Sequence, residues 1–99
     1  MIGRTAKIEG RTILDYKVIE CKEILHEAFA GLLADLDRIA DRTPSLQKQP
    51  SYRILLLQTR RIWQDIFGEE CSTMNDMIKL KGKYEFIKLC TEELEQYAG

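Results

Sequence analysis

One histidine, one tryptophan and two prolines are all that the 99 residues contain of these types, and each scarcity narrows the chemistry. A lone His26 leaves histidine-dependent catalysis or metal binding no other place to start. Cys21, Cys71 and Cys90 are an odd number of cysteines with no Cys-x-x-Cys pair. That pattern argues against a disulfide framework and for free thiols in the cytoplasm. Charge of one sign is also missing, because fifteen Lys and Arg oppose sixteen Asp and Glu. Neither binding to nucleic acid by basic excess nor acidic mimicry of it is expected. The longest apolar run, Ile54–Leu57, has four residues, far short of the roughly twenty a membrane span requires, and no signal-peptide stretch opens the chain. The glycines are dispersed without a GxGxxG or GxxxxGK pattern, so no nucleotide-cradling loop and no cofactor is expected.

What the chain has in quantity is helical periodicity. Its size allows one domain, residues 1–99, with one core. Residues 1–11 carry Gly3 and Gly10 and read as a short extended arm. Thr12 and Asp15 have capping-box spacing, and beyond them Leu14, Val18, Cys21, Leu25, Ala28 and Leu32 recur at alternating steps of four and three. A second line of Phe29, Leu33, Leu36 and Ala40 widens this apolar face. The spacing predicts a long helix over 13–41, about 40 Å at 1.5 Å per residue.

Pro44 ends that helix, and Pro50 with Ser51 marks the next start, leaving a loop between them. A second helix is predicted over 51–67, with Leu55, Ile62 and Ile66 inward and Gly68 at a left-handed C-terminal cap. Thr73 and Asp76 propose a capping box for a short helix over 74–81 that Gly82 ends. A last helix over 84–98 lines up Ile87, Cys90, Leu94 and Tyr97. The expected fold class is all-α, a small bundle of three main helices with a long first helix and an extended N-terminal arm. Partners of about sixteen and fifteen residues cannot cover a first helix of nearly thirty. Part of its apolar stripe is therefore expected to meet another protein or a second copy of the chain, and a homo-oligomer is anticipated.

Candidate chemistry is thin. Glu23 and His26 have the Glu-x-x-His spacing of di-iron bundles, but Glu20, Glu23 and Glu27 fall nearly opposite Leu25, on the solvent side. No metal ligands are assigned, and only oligomerisation that gathered His26 with carboxylates of several chains would revive that reading. Cys21 and Cys90 lie on apolar stripes and behave as small hydrophobes. Cys71 precedes a helix start, where thiolate is favoured, but it has no identifiable base partner. The expected protein is not an enzyme, and no catalytic residue is assigned.

The residues assigned to partner binding are Leu25, Phe29, Leu32 and Leu36 on the first helix, Arg60, Arg61, Trp63 and Phe67 on the second, and Glu92 and Glu93 on the last. The aromatics supply anchors if the bundle leaves them open, although core packing claims the larger share of them. Arg53, Arg60 and Arg61 face outward beside Gln64. They are expected to pair with the acidic last helix, Glu85, Glu92, Glu93 and Glu95, within the chain or across subunits. Those glutamates crowd a helix C-terminus against its macrodipole, which suggests a recognition role.

The stretch Leu57-Gln58-Thr59-Arg60-Arg61-Ile62-Trp63-Gln64-Asp65-Ile66-Phe67-Gly68-Glu69, followed by Ser72 and a helix running to Glu92, Glu93 and Glu95, resembles the small tail assembly chaperones of phages and prophages of Gram-positive bacteria. The resemblance covers roughly the C-terminal half, and the Asp65–Glu69 junction carries most of it. It implies a mostly helical, non-catalytic protein that holds a tape-measure protein and growing tail tube assembly-competent, gripping an apolar helix or extended segment in the groove between the first two helices. The family commonly opens with a hairpin around an Ile-Asn-Gly turn, for which Ile8-Glu9-Gly10-Arg11 is only a partial counterpart. The alternative reading is a small phage or mobile-element inhibitor that blocks a host protein through its charged faces.

Overall fold

The computed structural model describes the backbone of residues 13–98 and the side chains of residues 17–96. The predicted arm over 1–11, the Thr12–Asp15 cap, Leu14 and the Tyr97 side chain lie outside the described residues. Among the described residues the chain is all-α: α1 (Ile13–Arg42), α2 (Pro50–Asp65) and α3 (Met74–Ala98), with a short 3-10 helix over Pro44–Lys48 between α1 and α2. Consecutive helices run antiparallel, since the start of α2 (Ser51, Leu55) borders the end of α3 (Glu93, Leu94), and the middle of α2 borders Lys79 and Lys83. The bundle is a rod of 58 × 19 × 17 Å. Its radius of gyration of 16.8 Å exceeds the ~13 Å of a rounded domain of similar length.

α1 is the spine, as expected, and packs against both other helices, while α2 and α3 touch little. Val18, Leu25, Phe29, Leu32, Leu36, Ile39 and Ala40 of α1 are all buried. From α2 they meet Tyr52 and Leu55, and from α3 Met77, Leu80 and Ile87. Phe29 sits edge-on to Tyr84 with ring centroids 5.6 Å apart. The segment predicted as a plain loop is a 3-10 turn because Pro44 starts it without needing an N–H partner and Leu46, fully buried, plugs the end of the core. Tyr52 ties α2 to α1 by donating its hydroxyl to the Leu36 carbonyl at 3.2 Å.

Two corrections concern glycine. Gly82 does not end a helix, and the two helices predicted over 74–81 and 84–98 are one helix of 25 residues. Glycine costs about 1 kcal/mol in a helix interior, and the burial of Leu80 and Ile87 on either side outweighs it. Gly68 is not a left-handed cap either: its φ lies outside the left-handed range, and its N–H donates to the Asp65 carbonyl at 2.8 Å in a turn through the right-handed Ile66, which enters the core. The Thr73 box forms as read. The Asp76 N–H donates to Thr73 Oγ1 at 3.2 Å, and Asp76 Oδ2 accepts the N–H of Thr73 at 3.1 Å.

The extra length of α3 changes the account of α1. A 25-residue α3, about 37 Å long, covers the stripe that two short helices would have left open. Over the described side chains the apolar stripe of α1 is therefore covered, against expectation, and Ile24 is the one large hydrophobic residue of α1 exposed among them.

Candidate docking surface on the second and third helices

The ten residues assigned to partner binding divide sharply. Leu25, Phe29, Leu32 and Leu36 are at most 8% exposed and belong to the core, so they present nothing to a partner. The reason is the continuous α3, which closes over them. Arg60, Arg61, Phe67, Glu92 and Glu93 are exposed, and Trp63 is half-buried.

Arg53, Leu56, Arg60 and Trp63 of α2 recur at steps of three and four, Phe67 in the turn just beyond α2 continues the line, and together they follow the seam with α1 along one side of the rod. Near the end of α1 this seam opens into a groove of about 890 Å³. Ala40, Leu56, Ile54 and Leu57 give it an apolar floor and rim. Asp37 and Asp41 form one lip, and Arg53 and Arg60 the other. Ile54 and Leu57 are 58% and 56% exposed. Both follow from the run Ile54–Leu57, in which four consecutive apolar residues on a helix must point in directions that one core cannot absorb. Sequence reasoning noted that run only for its shortness, and its breadth around the helix is the signal for these two residues.

At the other end of the seam His26 lies between two aromatic rings. Its imidazole stacks on Trp63 at 4.8 Å and meets Phe67, tilted, at 5.0 Å. Phe67 stays 54% exposed. The buried Trp63 Nε1 has no hydrogen-bond partner. Glu23 is exposed, and among the described residues no three His, Cys, Asp or Glu side chains converge as a metal site would require.

The expected pairing of the α2 arginines with α3 does not occur within the chain. Among the described residues the one ion pair is Arg38–Asp35, two neighbours on α1. The four charged lip residues of the groove have no ion-pair partner among the described residues. Cys71 also departs from expectation. Burial pushes its thiol up, Lys22 opposes this, and Asp76, Glu70 and Asp65 add to it, so the protonated form is favoured. The three cysteines are free thiols, each half-buried.

Two buried threonines went unnoticed in the sequence. Thr59 and Thr91 donate their hydroxyls to the carbonyls four residues earlier, Leu55 and Ile87, at 2.7 and 2.8 Å. This satisfies them inside a core that their polarity seemed to forbid. No described helix is long and apolar enough to cross a membrane. No protein-family model, curated protein or solved structure matches the chain.

Proposed function

We propose that this protein is a non-enzymatic interaction module that holds an apolar helix or extended segment of a larger protein against the α1–α2 seam. The observation that carries the reading is the exposure of Ile54 and Leu57 beside a groove whose four charged lip residues have no ion-pair partner among the described residues. Apolar anchors ringed by charge are the usual anatomy of a protein interface, with anchors supplying affinity and the rim supplying orientation. The occupant is a segment with apolar side chains on one face, an acidic edge towards Arg53 and Arg60 and a basic edge towards Asp37 and Asp41. A phage tail assembly chaperone, the family the C-terminal half resembles, would use such a surface to keep an apolar partner assembly-competent in the cytoplasm.

Crosslinking tests this directly. A photoreactive residue at Leu57 is expected to trap a discrete partner in cells of the source organism, and Arg60→Glu is expected to abolish the product. The reading fails if position 57 traps nothing beyond what an equally exposed control at Glu23 traps.

A further inference from the structure

α3 is apolar on two opposite faces. Met77, Leu80, Ile87 and Thr91 face the core, whereas Ile78, Gly82, Phe86 and Leu89 form a second stripe at steps of four, four and three on the solvent side. Ile78, Phe86 and Leu89 are each more than 60% exposed, and a Cβ placed on Gly82 would meet nothing within 4 Å. A helix that is apolar on every side is ordinarily buried on every side.

The charges of α3 say what covers the stripe. Its first half carries Lys79, Lys81 and Lys83 against Asp76, and its second half Glu85, Glu92, Glu93 and Glu95 against Lys88. This gradient opposes the helix macrodipole beyond the first turn, and none of these side chains has an ion-pair partner among the described residues. We infer that the outer face of α3 packs antiparallel against α3 of a second copy, forming a two-fold symmetric dimer. One register satisfies both the stripe and the charges. With the two-fold axis near Phe86, the Phe86 rings meet each other, and Leu89 of each copy enters the recess over Gly82 of the other. Lys79 then lies opposite Glu93 of the second copy, and the basic stretch Lys79 to Lys83 of each helix runs beside residues 89–93 of the other, which include Glu92 and Glu93. A parallel pair would set lysines against lysines and glutamates against glutamates. The groove beside the stripe, lined by Gln58, Arg61 and Ile62 of α2, gives the second helix a flank to rest on.

The dimer face is separate from the α1–α2 seam, so the two inferences fail independently. Sedimentation equilibrium of the full chain is expected to give twice the 11.5 kDa chain mass at micromolar concentration. Phe86→Glu is expected to give a monomer with unchanged helical circular dichroism, because the side chain is exposed, whereas Leu57→Glu stays dimeric. Glu93→Lys is expected to weaken the dimer roughly tenfold, since symmetry repeats each altered pair. Adding Lys79→Glu to it restores affinity, which only the antiparallel register allows. A wild-type monomer, an oligomer that survives Phe86→Glu, or a double variant no tighter than Glu93→Lys alone would each overturn the proposal.

Discussion

Tyr52 is the residue that most clearly converts sequence into tertiary structure. Its ring fills the α1–α2 seam, and its hydroxyl donates to the Leu36 carbonyl as a second partner beside the helix's own N–H. Burial raises its pKa above the usual phenol value, with Asp37 and Asp41 adding to the rise and Arg60 opposing it. The unfolded chain therefore ionises this phenol first. Its contribution to stability is complete below about pH 10 and fades as pH climbs through the folded-state pKa. Tyr52→Phe is expected to lose about 1 kcal/mol at neutral pH in urea unfolding, with the gap to wild type narrowing above about pH 10. Asp76 carries the opposite sign. Hydrogen bonds from Thr73, its side chain first and then its backbone, and from the Ser72 backbone hold the Asp76 carboxyl below the ordinary carboxylate range. That contribution is present above the unfolded pKa and is lost as the solution is acidified through the folded one.

Among the elements, the starts of helices were legible and the continuity of α3 was not. Thr73 and Asp76 stand at the spacing a capping box demands, and the bonds form; Thr73→Ala is expected to cost about 1 kcal/mol in thermal or urea unfolding. Gly82 carried the same breaker signal as any glycine. What it lacked was visible only in three dimensions: Leu80 and Ile87 pack on the same spine from either side of it, so the helix is held across the weak point. A related prediction concerns Gly31, within α1 and open to solvent where a methyl would go. Gly31→Ala is expected to stabilise the protein by about 0.5–1 kcal/mol, readable as a higher denaturation midpoint. The 3-10 turn over Pro44–Lys48 escaped periodicity because five residues hold too few turns to show one, and Leu46 revealed itself only by burial.

The whole molecule turns on how one misplaced break redistributes apolar surface. The stripe of α1 was correctly read as apolar, but which helix covers it depended on the length of α3. Leu25, Phe29, Leu32 and Leu36 thereby moved from candidate interface to core, Arg60 and Glu93 are on the surface as expected, and Phe67, whose spacing favoured core packing, is exposed instead. Phe29→Ala is accordingly expected to cost 3–5 kcal/mol, roughly what a fully buried phenylalanine costs, and to unfold much of the population. Leu57→Ala, at a position more than half exposed, is expected to change stability by less than about 0.5 kcal/mol while weakening partner capture. A thin rod of three helices cannot bury every apolar face of α2 and α3, which leaves Ile54, Leu57, Ile78, Phe86 and Leu89 exposed. Hydroxyl-radical footprinting of the native chain, resolved residue by residue, tests this most directly. Ile54, Leu57 and Phe67 should be labelled rapidly while Leu25, Phe29, Leu32 and Leu36 stay protected; labelling of the α1 stripe, or protection of Ile54, Leu57 and Phe67 in the chain without a partner, would contradict it.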